Sequence, residues 1–359
     1  MRITFVLPTY PWRPIGAWRV VYEFSNHLVG RGHGVTIVHA RRVPNKLYPP
    51  PSSLYRRLRS EAGYWRDRLF TPKIGWQHVD ERVNLTYVEE PLPEAIPDAE
   101  VVLVTTWEMV ERVLTFPESK GRKVHLVQAS AADVGVPKDR IEDLWRAPLR
   151  LVLISKWLYS LAEQRNCQDI VHVPIALDHS KYRILQPIAP RPKRVAMLFG
   201  RAFTKGSSDG IETLKIAKEK HPDMRAVLFG ISSRPKTLPG WIEYRRNPPQ
   251  ACMVNDIYNG SSVYLCSSLG ESFGLPAAEA LACGCALVTT DCGGVRDYAT
   301  EGQTALISPP QNPGLLAENL IRVLGDEGLR MRLAEEGGRR IREFSWDRST
   351  TLLEQAIGV

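Results

Sequence analysis

Apolar runs alternate with helix-period segments almost from end to end of the chain. Residues 2–8 (RITFVLP), 35–40, 83–88, 100–106, 124–129 and 151–156 are short and nearly continuously apolar. Half-exposed strands would alternate apolar with polar; runs without alternation predict parallel strands buried on both faces, with helices as crossovers. Between the first two, residues 18–32 repeat apolar positions at helical spacing and stop at Gly30 and Gly32. Residues 184–194 (ILQPIAPRPKR) then place three prolines within six positions, the mark of a stiff linker. A second series follows, with strands predicted at 195–200, 225–230, 262–268, 285–290 and 304–309 and a helix over 208–222. Three helical stretches close the chain, at about 312–325, 327–343 and 346–357.

The pattern predicts an α/β protein of two doubly wound, Rossmann-like units. A length of 359 residues suits two domains better than one core. The expected division is 1–187 and 193–345, with the last helix, about 346–359, packing back on the first unit. In such sheets ligands bind outside the carboxyl ends of the strands, so the cleft between two facing units is the expected site.

Composition narrows the classes. No apolar run reaches the roughly 18 residues that span a bilayer. Pro8 and Pro11 interrupt the N-terminal apolar run too early for a secretory signal, and a cytoplasmic protein is expected. The six cysteines lack paired metal-type spacing and read as buried thiols. The net charge is +8, and residues 41–73 concentrate it, with nine basic side chains against Glu61 and Asp67. Tyrosine, tryptophan and leucine are interleaved there. The segment reads either as a solvated face or as a docking surface for an anionic membrane or an acidic acceptor; nucleic acid is disfavoured because no recognition motif accompanies the charge.

The chemistry-bearing residues fall at predicted strand ends. Gly16 follows the first strand and precedes a helix, where a glycine lets backbone approach a ligand. After 195–200 come Gly200, Arg201 and Lys205, cations suited to a diphosphate. The stretch GESFGLPAAEALACGC (270–285) follows the strand 262–268. Pro276 suits the first position of a helix, which puts Glu271 on the loop and Glu279 about one turn inside. Backbone N–H groups at Gly274 and Leu275 make an anion site at the helix start. Two carboxylates beside an anion site call for hydroxyl partners, and a ligand with both phosphate and many hydroxyls is a sugar nucleotide.

These parts, in this order, resemble the retaining family-4 glycosyltransferases of GT-B architecture. The resemblance rests on the Gly-bearing first loop, the "GR…KG" loop opening the second unit, E-x7-E written around FGLP, Gly293–Gly294, and the late crossover FSWDRS. It implies transfer of a sugar, hexosyl or deoxyhexosyl, from a nucleoside-diphosphate sugar to a hydroxyl of a glycan, lipid-linked or small-molecule acceptor. It further implies metal independence and no cofactor; the D-x-D metal motif of the other main glycosyltransferase architecture is missing. Arg201 and Lys205 would neutralise the diphosphate, Glu271 would bind the donor sugar, and Phe273, Gly274 and Leu275 would line the donor. Glu279 would hold the ribose, and Gly16 would admit the phosphates. Relatives often carry an acceptor-side histidine after a first-unit strand; here Gln128 stands at that strand's end, with Asp133 beyond, and His125 reads as packed. Trp107 and Glu108, after the preceding strand, join Gln128 and Asp133 as acceptor candidates. The first loop is also similar to transferases of bacterial polysaccharide pathways. A sugar-nucleotide epimerase, a phosphorylase of similar shape and a non-catalytic sugar-nucleotide-binding module remain as alternatives.

Overall fold

The computed structural model describes residues 1–12, 14–43, 70, 73–130, 143–189 and 191–358. Most of the basic segment 41–73, together with Asp133, lies outside them. The first unit contains β1 (Arg2–Pro8), α1 (Gly16–Gly30), β2 (Gly34–Ala40), β3 (Asn84–Val88), β4 (Val101–Val104), α2 (Trp107–Val113), β5 (Arg122–Val127), β6 (Arg150–Leu153), α3 (Lys156–Gln164) and β7 (Ile170–His172). Its strands form a seven-stranded sheet in the order β3-β2-β1-β4-β5-β6-β7. The second unit contains β8 (Arg194–Leu198), α4 (Ser207–Lys220), β9 (Arg225–Gly230), β10 (Ile242–Arg246), β11 (Val263–Cys266), α5 (Leu275–Ala282), β12 (Ala286–Thr290), β13 (Ala305–Ser308), α6 (Pro313–Gly325) and α7 (Glu327–Ile341). Its six-stranded sheet runs β10-β9-β8-β11-β12-β13. The pairings in both sheets are parallel, and both sheets reverse direction beside their first strand, as a doubly wound unit does.

The burial explains the pattern read from sequence. Every residue of β4, β11 and β12 is buried, because helices cover both faces of each sheet. Helix starts are fixed by side-chain caps. Ser155, Asn312 and Asp326 accept hydrogen bonds from the N–H groups of Leu158, Leu315 and Leu329 at 3.3, 3.0 and 2.9 Å. The strand expected over 100–106 ends at Val104, since Trp107 already opens α2. Two edge strands were not foreseen: β7 has only three half-buried residues, and β10 ends in the exposed Arg245 and Arg246. No described helix is long and apolar enough to cross a membrane.

The closing helix α8 (Trp346–Ile357) lies against α1. Trp346 packs edge-on to Phe24 at 5.1 Å and stacks with His27 at 6.1 Å. Arg31 reaches Glu354 at 2.5 Å and also pairs with Asp347, and Glu354 contacts His33 at 2.9 Å.

The proline-rich linker is anchored by two buried cations. Arg330 donates to the carbonyls of Ile188 and Ala189, both at 3.3 Å. Arg191 donates to the carbonyls of Gln186, Ser261 and Cys283 at 2.9, 3.2 and 2.9 Å and to Asn259 Oδ1 at 3.2 Å. Burial, with Arg330 nearby, pushes its pKa below the ordinary arginine value. Arg191→Met removes the charged donor from the Ser261 and Cys283 carbonyls. It is expected to cost about 2–4 kcal/mol and to lower the thermal unfolding midpoint by roughly 5 °C or more. An unchanged midpoint would show that the linker does not depend on this side chain.

Candidate active site

The carboxyl ends of the two sheets face each other, and the loops between them touch. A methyl group added to Gly16, at the start of α1, would sit 3.6 Å from Leu275 Cδ1, at the start of α5. The two helix N-termini therefore open side by side into the cleft, each with a positive end.

Glu271 sits on the loop after β11, and that loop is tied down at its backbone. Its N–H donates to the Cys292 carbonyl and its own carbonyl accepts from Gly294 N–H, both at 2.7 Å. Glu271 Oε1 accepts from Lys205 Nζ at 2.7 Å and from Ser268 Oγ at 2.7 Å. The Lys205 stem crosses the face of Gly200, where a Cβ would come within 2.8 Å of it. Ser207 Oγ binds both the N–H and the carbonyl of Gly200, at 3.0 and 2.9 Å, and so fixes the loop's return. Gly206 turns with φ +53°, and a side chain there would meet Ser267 O at 1.9 Å. Arg201 is exposed and turned away, donating to Ser233 Oγ at 2.8 Å. The two cations expected side by side are thus separated in this structure: Lys205 is on the carboxylate and Arg201 on the neighbouring loop.

Gly274 caps α5 with φ +81°, and Pro276 takes the second helical position rather than the first. Glu279 is one turn in and nearly closed off, with 4% exposure. It is already engaged. Arg19 Nη1, from α1, lies 2.6 Å from Oε1, and Tyr258 Oη donates to Oε2 at 2.8 Å. Arg19 Nη1 also donates to Tyr182 Oη at 3.1 Å, which accepts from Gln250 Nε2 at 3.1 Å. Burial opposes the charge on Arg19, but the Glu279 carboxylate, with smaller contributions from Tyr182, Tyr258 and Glu23, outweighs it and holds the guanidinium above its ordinary pKa.

Gly293 and Gly294 make room for other parts of the cleft wall. The Trp157 ring would stand 2.6 Å from a Cβ on Gly293, and Ser272 O would stand 2.0 Å from one on Gly294. Beside them the buried Asp297 accepts from Lys156 N–H at 3.2 and 3.1 Å, capping α3 across the cleft.

Several sequence candidates take packing positions. Phe273, expected at the donor, is 2% exposed and lies against Tyr298 and Phe344 at 5.3 and 5.6 Å. Its ring anchors the loop from behind instead of facing the cleft. Trp107 is 5% exposed and belongs to the core, while Glu108 is half-buried in the first turn of α2. Gln128 reaches the cleft rim, donating to the Ala17 carbonyl at 3.1 Å. His125 is buried in β5, and desolvation pushes its pKa down to about 3, so it stays neutral. His39, near the carboxyl end of β2, is held between Tyr22 Oη at 3.1 Å and Thr9 O at 3.2 Å and is likewise driven down to about 4 by burial. Arg19, Tyr258, Trp157 and Asp297 were not singled out from sequence. The one available signal was Arg19's place three residues after Gly16.

With this geometry in hand, comparison with known proteins decides the class. Residues 178–340 match the family model described as "Glycosyl transferases group 1". The chain is an enzyme that transfers sugars. It is 24% identical over 311 residues to the D-inositol 3-phosphate glycosyltransferase of Corynebacterium efficiens, which covers 82% of this chain and 68% of that protein. Further relatives of the same name are matched over only 21% to 41% of their own length. Among solved structures, S. aureus TarM, crystallised with Fondaparinux, alpha-GlcNAc-glycerol and UDP, aligns over 100% of both chains with a TM-score of 0.74 at 9% identity. Anabaena HepE in complex with UDP and glucose aligns over 99% of both chains with a TM-score of 0.71 at 11% identity. At such identities the likeness is one of fold, and the fold is the two-unit GT-B arrangement expected from sequence.

Proposed function

We propose that this protein is a retaining family-4 glycosyltransferase, using the E-x7-E pair Glu271 and Glu279 to hold a nucleoside-diphosphate sugar. The second unit holds the donor and the first receives the acceptor. The observation that carries this reading is the meeting of Lys205 Nζ and Glu271 Oε1 at 2.7 Å, beside the N-terminus of α5 in the inter-unit cleft. A cation, a carboxylate and a helix start converge there, as a ligand with both phosphate and hydroxyl groups requires.

In this reading the diphosphate leaves through an oxocarbenium-like state, and the dominant catalytic effect is stabilisation of the leaving charge. Lys205 and Arg201 supply it, with the N–H groups of Gly274 and Leu275. Glu271 binds hydroxyls of the donor sugar and Glu279 those of the ribose. The acceptor hydroxyl enters on the face the diphosphate leaves, and a donor phosphate oxygen takes its proton. The acceptor is a glycan, lipid-linked or small-molecule alcohol, with Glu108 and Gln128 at its rim. The basic 41–73 segment is assigned, on charge alone, to an anionic membrane or acceptor. The UDP bound in the TarM and HepE structures favours a uridine nucleotide.

A panel of nucleotide sugars read by thermal unfolding tests the donor. A donor at 100 times its Kd adds about 2.7 kcal/mol and raises the midpoint by several degrees. Activity with that donor is expected to survive a chelator. A panel in which no nucleotide sugar moves the midpoint would contradict the reading.

A further inference from the structure

Glu279 cannot hold a ribose in the arrangement described above, because Arg19 is in the way. The space bounded by Arg19, Tyr182, Gln250, Leu275 and Glu279 is about 10 Å³, room for one water at most. The carboxylate already has a donor on each oxygen. Arg19 comes from the first unit and Glu279 from the second, so this contact spans the cleft. Its guanidinium is also incompletely used, since Arg19 Nε is buried without a hydrogen-bond partner. A buried unused donor on a cation is the exception that calls for a further acceptor.

We propose that Arg19 is a donor-binding residue that exchanges partners, resting on Glu279 when the cleft is empty and passing to the donor diphosphate when ribose hydroxyls take its place. This rests on the reading of Glu279 as the ribose clamp. Two features make the exchange feasible. First, α1 and α5 begin side by side at Gly16 and Leu275. Arg19 and Glu279 each lie about one turn further in, so the helix starts where a diphosphate would sit are only about 5 Å from Arg19 along the helix axis. Second, each charge keeps a partner throughout. Glu279 trades a guanidinium for two hydroxyl donors and retains Tyr258, while Arg19 trades a carboxylate for a phosphate, which can also take the idle Nε. Removing Arg19 from Glu279 without a second anion would bury an unpaired charge, which is strongly unfavourable. Donor entry and release of the cross-cleft contact are thereby one event.

The exchange predicts unequal effects on two ligands. For Arg19→Gln, binding of the free nucleoside is expected to strengthen, since its competitor for Glu279 is weakened. Binding of the nucleoside diphosphate gains nothing net, since a charge-assisted contact is lost. The preference for diphosphate over nucleoside should fall at least tenfold, the scale of one charged hydrogen bond. Calorimetric titration of wild type, Arg19→Gln and Arg19→Lys with the nucleoside and diphosphate of the base found in the panel reads this directly. Arg19→Lys, which keeps the charge and guards against a fold defect, should fall between the other two. An unaltered preference in both variants would overturn the exchange and leave Arg19 as a fixed support for Glu279. Glu279→Gln separates the two claims. If it leaves nucleoside affinity unchanged, the ribose clamp itself is wrong; if it weakens nucleoside binding while the Arg19 variants keep their preference, only the exchange is wrong.

Discussion

Glu271→Gln is expected to lower kcat about 10²–10³-fold while changing donor Kd by only a few-fold. The substitution keeps the size of the side chain and its place on a loop whose backbone is held by Cys292 and Gly294. What it removes is the negative charge that accepts from Lys205 and Ser268 at 2.7 Å. In the ground state a glutamine oxygen can still accept from a sugar hydroxyl, so binding changes little. As positive charge develops on the reacting sugar, hydroxyl groups become better donors and a nearby carboxylate is worth more. A loss confined to the transition state appears in kcat and not in Kd. The magnitude, about 3–4 kcal/mol, is that of removing one preorganised electrostatic contact. Steady-state kinetics with calorimetric donor binding check it. A loss of affinity with kcat unchanged would mean that Glu271 serves binding alone.

Lys205→Met should reduce kcat/KM by a similar 10²–10³-fold, through loss of the cation that meets the leaving diphosphate. The methionine stem can follow the lysine's path across Gly200, and the loop is independently latched by Ser207, so a fold defect is not the expected cause. The decisive comparison is the double variant. Lys205 and Glu271 are in direct contact, and groups that act as a unit are strongly non-additive. Lys205→Met in the Glu271→Gln background is expected to cost less than tenfold more. Two full, additive penalties would show that the residues act on separate parts of the donor.

The strands were legible because both sheets are covered on both faces, which turns each central strand into an unbroken apolar run. β4, β11 and β12 read plainly for that reason. β10 did not, because an edge strand that ends in Arg245 and Arg246 carries no apolar signature. The cleft loops were legible through glycine and charge at strand ends. Their side-chain partners were not. Arg19 reads as the polar face of an amphipathic helix until α5 is placed opposite it. Gly293 and Gly294 stand out as a motif, but nothing local says that they admit Trp157 and Ser272 O. Phe273 and Trp107 mislead for the converse reason. An aromatic ring at a strand end looks the same in sequence whether it meets a ligand or, as here, the core.

The most direct test of the central claim is the anomeric configuration of the product. With the donor selected from the nucleotide-sugar panel and a simple alcohol acceptor, proton NMR of the early reaction should show the new glycosidic bond with the same anomeric configuration as the donor, formed one for one with released nucleoside diphosphate. An inverted product, or a donor consumed with no glycoside formed, would contradict the account.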